Sequence, residues 1–92
     1  MRAVSVEEAV AMIPPGASVM VGGFMGVGTP ERLLDEVVRQ KKSDLSLISN
    51  DAATPGKGVG KLFDAVLVSH LTATHIGLNP KAQQQMLANQ IA

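Results

Sequence analysis

One stretch, Gly22-Gly23-Phe24-Met25-Gly26-Val27-Gly28, constrains the fold more than any other. It follows a short apolar run, Ala17 to Val21, and leads directly into Thr29-Pro30-Glu31. A short run with two valines reads as a buried strand of the kind that suits a parallel sheet. Thr29 is a good N-cap, and proline is favoured at the first helical position because its missing N–H needs no partner. Glu31 sets a negative charge in the first turn, where the helix dipole favours it. A strand that empties through glycines into a helix start is a ready anion site. Its backbone N–H groups point outward, and glycine removes the Cβ atoms that would block close approach. From spacing alone, a plain tight corner explains the same glycines equally well. The dinucleotide pattern G-x-G-x-x-G is absent, as is the Gly-Lys-Ser/Thr of a phosphate loop, so NAD and ATP are poor matches.

The rest of the chain alternates in the same manner. Ser5-Val6-Glu7-Glu8 is a capping box, and Val6, Ala9, Val10 and Ile13 follow at helical spacing, which predicts a helix over Ser5 to Ile13. Pro14-Pro15-Gly16 stops it. After the glycine stretch, Leu33, Leu34, Val37 and Val38 form an apolar stripe on a helix expected from Pro30 to about Lys41. Arg32, Asp35, Glu36, Arg39 and Gln40 are expected to face water. Leu45 to Ser49 reads as a second strand and Leu67 to Thr74 as a third. A turn of helix is expected around Lys61 to Asp64, and a final helix over Lys81 to Asn89. This order implies an α/β fold with a parallel sheet and crossover helices. The chain reaches Ala92 directly after a helix, where the alternation requires another strand, so we expect an incomplete portion of a larger domain.

Composition narrows the function classes. Eight basic residues balance eight acidic ones, and this argues against nucleic acid or an anionic membrane as partner. No apolar run approaches the roughly 20 residues of a membrane span, and the acidic start is unlike a signal peptide. The absence of cysteine excludes disulfides and thiolate metal sites and fits a reducing cytoplasm. His70 and His75 have no third ligand type nearby, so no metal site is expected.

Val19 to Pro30 resembles the signature of family I CoA-transferases, in which three apolar residues precede G-G-F-x-x-x-G-x-P. The signature usually opens with Asp or Asn before a glycine, where this chain has Pro15-Gly16. Leu47-Ile48-Ser49-Asn50-Asp51 resembles the family's second strand and its S-N-D/N loop. Gly58-Val59-Gly60-Lys61-Leu62 resembles the G-I/L-G-x-L segment, and Thr74-His75-Ile76-Gly77-Leu78-Asn79-Pro80 the S-H/Y-I-G-x-N-P loop. The likeness covers essentially the whole chain and well under half of the family's α subunit.

The resemblance implies the three-layer, parallel-sheet CoA-transferase fold, here as its N-terminal portion. It implies an α subunit that works with a β subunit in an α/β hetero-oligomer. The reaction would move CoA between an acyl-CoA and a carboxylic acid such as a 3-oxoacid or acetate, with CoA as substrate and no permanently bound cofactor. Gly22, Gly23, Phe24, Met25, Gly26, Val27 and Gly28 would bind CoA, and Gly23→Val would abolish its retention. Asn50 would sit near the acyl group, where its amide can donate to a carbonyl oxygen. The other reading of Asn50 is an Asx turn closing the strand. The family's nucleophile is a glutamate of the β subunit, in an S-E-N-G-type motif that this chain lacks. Glu7, Glu8, Glu31 and Glu36 read as solvated helix residues, so no catalytic residue is assigned and the chain alone is expected to be inactive. The rival reading is a non-catalytic remnant or interaction module that keeps the start of the fold and binds no CoA.

Overall fold

A computed structural model describes residues 3–92. Helix α1 spans Val6–Ala11, and its start is the expected capping box. The Ser5 hydroxyl accepts from the Glu8 N–H at 3.1 Å, and the Glu8 carboxylate reaches back to the Ser5 N–H at 3.5 Å. The helix ends short of Ile13 because a residue before proline is pushed out of the helical region, and Pro14 follows. Strands β1 (Ser18–Val21), β2 (Leu45–Ser49) and β3 (Val68–Thr72) form one parallel sheet in the order β1-β2-β3. Val19 lies opposite Leu47, and Leu47 opposite Leu71. Helices α2 (Glu31–Arg39) and α3 (Gly60–Asp64) make the crossovers, and α4 (Pro80–Leu87) follows β3.

Three helices end by the same device, and it explains most of the boundary differences. Lys41, Val66 and Asn89 take φ of +54°, +57° and +59°, and the N–H groups beyond each turn back onto the last helical carbonyls. After α2, Lys41 N–H donates to Val38 O at 3.1 Å and Lys42 N–H to Val37 O at 3.2 Å. The helix therefore stops at Arg39 rather than Lys41. After α3, Leu67 N–H donates to Leu62 O at 3.0 Å, which holds Leu67 in the turn and delays β3 to Val68. After α4, Gln90 N–H donates to Gln85 O at 2.8 Å, so that helix ends at Leu87. Beyond it Ala92 N–H donates to Ser69 O at 2.9 Å while Leu71 N–H donates to Ala92 O at 3.0 Å. Those two bonds, to residues flanking His70, follow the parallel ladder pattern and lay Ala92 alongside β3.

The core lies between the sheet and the helices. Phe63 is fully buried, and Val10, Leu45, Leu47 and Leu62 are nearly so, with Val21, Leu34 and Val37 packed on the same side. Side chains alternate across a strand. The other sheet face thus carries Ser18, Met20, Ser46, Ile48, His70 and Thr72, and Met20 is 76% exposed. Consecutive right-handed crossovers place their helices on one side. The molecule is 18 Å across in its thinnest direction, consistent with a sheet and one helical layer. The described residues supply these two layers of the three expected.

Two glutamates differ from the solvated surface residues expected. Glu36 is only 7% accessible because Arg39 and Gln40 fold over it. Arg39 Nε donates to its carboxylate at 2.8 Å and Gln40 Nε2 at 2.6 Å. The same Gln40 amide donates to Glu7 O at 3.1 Å and ties α2 to α1. Hydrogen bonds from Arg39 and then Gln40 outweigh desolvation and hold the Glu36 carboxyl down to about 2. Glu31 is half-buried and faces Lys61 of α3 at 2.6 Å. The Lys61 ammonium, helped by a backbone N–H from Gly58, keeps Glu31 below the usual carboxylate range.

Candidate functional site

The three parallel strands deliver three loops to one edge of the sheet, outside their C-terminal ends, where α/β folds bind ligands. They are the glycine stretch after β1, residues 50–59 after β2, and residues 73–79 after β3.

The glycine stretch is a miniature hairpin. Phe24 N–H donates to Val27 O at 3.0 Å, and Val27 N–H donates to Phe24 O at 2.8 Å. Met25 and Gly26 form the two-residue tip at φ +53° and +85°, both positive as a type I′ turn requires. A Cβ on Gly23 (φ +117°) would lie 2.1 Å from Thr29 Oγ1 and 2.9 Å from Val27 O. Thr29 is not the N-cap of α2; that place is taken by Pro30, which makes no side-chain cap bond. The Thr29 hydroxyl turns back over the loop and donates to Gly22 O at 3.3 Å, closing the base of the hairpin. Gly22 itself is exposed, outside the positive-φ region, with nothing within 4 Å of a Cβ. Tight cornering thus accounts for Gly23 and Gly26 but leaves Gly22 unexplained. The N–H groups of Gly22, Gly23, Gly26 and Gly28 find no acceptor among the described residues. Phe24 is half exposed and its ring is tilted against His75, with centroids 6.3 Å apart. Val27 and Met25 add further exposed apolar surface.

Asn50 is exposed at the end of β2. Its carbonyl accepts from the Thr74 N–H at 2.9 Å and from the Thr74 hydroxyl at 2.5 Å, which seams the second loop to the third. An Asx turn at the end of β2 is made by its neighbour Asp51. Asp51 Oδ2 accepts from the Ala53 N–H at 3.0 Å, and Oδ1 accepts from the Met25 N–H at 3.3 Å. Asp51 is 4% exposed. His70 lies apart from the loops, exposed within β3.

Three supports of the site were missed in the sequence. In the sequence Asp51 stands out only as part of the S-N-D/N loop. Glu31 accepts from Gly58 N–H at 2.5 Å, and a Cβ on Gly58 would come within 3.1 Å of Gly26 Cα, so the second loop underlies the hairpin tip. Asn79, fully buried, caps α4 by accepting from Lys81 and Ala82 N–H at 3.1 Å and donates to Ala52 O at 2.8 Å. The pair Asn79-Pro80, a cap followed by proline at the first helical position, carried that signal in plain view.

Comparison with known proteins agrees with this architecture. The family profile described as coenzyme A transferase matches residues 3–92. The alpha subunit of an acetate CoA-transferase from Escherichia coli (strain K12) is 36% identical over 90 residues, 98% of this chain and 41% of the relative. The alpha subunit of an acetoacetyl-CoA:acetate/butyrate CoA transferase from Clostridium acetobutylicum is 38% identical over 76 residues, 83% and 35% of the two chains. A solved structure of a variant of the decarboxylase AibA/AibB superposes with a TM-score of 0.78 at 33% identity, over 99% of this chain and 37% of that one. The chain thus spans about two-fifths of the length of these relatives. Matched along nearly its entire length, it belongs to the coenzyme A transferase family and resembles that family's alpha subunits.

Proposed function

We propose that this chain is part of the α subunit of a cytoplasmic CoA-transferase and contributes the glycine hairpin to CoA binding. The observation that carries this reading is the set of free backbone N–H groups at Gly22, Gly23, Gly26 and Gly28, set where β1 turns towards α2. Such donors suit the phosphates or the thioester carbonyl of an acyl-CoA. The exposed ring of Phe24 and the aliphatic groups of Met25 and Val27 suit the less polar part of the same ligand. Asn50, held at the rim by Thr74, would present its amide to the acyl carbonyl. The acids between which CoA moves are of the short-chain, 3-oxoacid or succinyl type, and the nucleophilic glutamate belongs to a β subunit. The chain's own residues bind and orient, and the covalent chemistry falls on the partner.

Gly22 is the position that tests this. A methyl group there meets none of the described residues beyond its chain neighbours, so Gly22→Ala should leave the circular dichroism spectrum and unfolding midpoint unchanged. Calorimetric titration with CoA is expected to show affinity about tenfold or more weaker, because the methyl crowds the ligand. Equal affinity in the folded variant would remove the loop from the binding site. Gly23→Val is the poorer probe, since its Cβ collides with Thr29 before any ligand is present. A wild-type chain that binds no CoA, alone or with a β subunit, would favour the non-catalytic remnant.

A further inference from the structure

We propose that Asp51 is a positioning residue for the glycine hairpin: its carboxylate holds the Met25 tip in place and so sets where the free loop amides point. The inference rests on the CoA-binding reading of that loop. Asp51 is nearly inaccessible, yet none of the ion pairs among the described residues reaches it. A carboxylate buried without a cation is costly to keep, so its use must need what a neutral side chain lacks. Closing the Asx turn on Ala53 needs one acceptor oxygen, which asparagine supplies at less desolvation cost. The second oxygen is what the carboxylate adds, and it reaches back across the sheet edge to the Met25 N–H. Met25 is the one non-glycine residue at positive φ within the loop, so its conformation is the one most in need of an external hold. From beneath, Gly58 packs on Gly26, and the Gly58 N–H is itself anchored on Glu31. The tip is therefore fixed on two sides before any ligand arrives, which spares the ordering cost on binding.

Amide hydrogen exchange on the 15N-labelled chain tests the hold directly. In Asp51→Ala, exchange at Met25 is expected to speed up about tenfold or more, while the amides of β2 keep their protection. Asp51→Asn keeps one acceptor oxygen and the side-chain shape, and should give a smaller, equally local increase at Met25. CoA affinity measured by calorimetry should fall in the same order, wild type, then Asn, then Ala. Should Asp51→Ala not fold, the Asn variant decides: a selective increase at Met25 supports the hold. Unchanged Met25 exchange, or an increase no larger than that in β2, overturns it. If wild-type chain binds no CoA while Met25 exchange responds as described, the binding reading fails and the hold by Asp51 stands.

Discussion

A Cβ built on Gly23 would lie 2.1 Å from the Thr29 hydroxyl, whereas one on Gly22 would meet none of the described residues within 4 Å beyond its chain neighbours. Two adjacent glycines therefore lack side chains for different reasons. Gly23 is required by the corner, and only Gly22 is free to report on a ligand. The same residue-level contrast separates the glutamates. Glu7 and Glu8 are exposed as expected, but Glu36 is enclosed by Arg39 and Gln40 and held to about 2, against 4.5 for its ordinary carboxyl. Between those two values the unfolded chain binds the proton and the folded chain does not. The stability that Glu36 contributes is complete above pH 4.5 and is lost as the pH falls through 2. Urea midpoints measured across that window should therefore drop more steeply for the wild type than for Glu36→Gln. Parallel curves would show that the clasp contributes nothing to stability.

At the scale of elements, capping and periodicity were legible. The Ser5 box starts α1, the valine and leucine runs make three strands, and each helix lies within about two residues of its expected place. What escaped was how one element seats another. Gly60 opens α3, where a Cβ would lie 2.0 Å from Thr54 O and 2.8 Å from Thr54 C. That neighbour is backbone, so it cannot swing aside. Gly60→Ala is expected to lower stability by about 2 to 3 kcal/mol by forcing the 50–59 loop off α3, as chemical denaturation would show. Full stability would mean that the loop yields freely. Nothing local marks Gly60 for this role, because Thr54 approaches it only after the loop has folded back. The same limit hid Glu31, whose favourable place in the first turn of α2 was evident but whose bond to Gly58 was not.

For the molecule as a whole, the sheet has two unlike faces. Leu47 is 1% exposed under the helices, while Met20 on the opposite face is 76% exposed. Leu47→Ala should cost about 2 to 5 kcal/mol, and Met20→Lys should change stability by no more than about 0.5 kcal/mol. Equilibrium unfolding of both variants checks the assignment, and a large loss at Met20 would mean that this face is covered. The sequence by itself determined the alternation of helices and strands, the parallel sheet and the family, because periodicity, caps and a contiguous glycine signature act over a few neighbouring residues. Only the tertiary structure decided that the glycines form a hairpin, that Asp51 and Glu31 hold it, and that Asn79 ties α4 to Ala52. The bonds of Asp51 to Met25, Glu31 to Gly58 and Asn79 to Ala52 join residues 26 or 27 positions apart. Such partners become neighbours only when the strand order brings their loops to one edge, and no local propensity encodes that meeting.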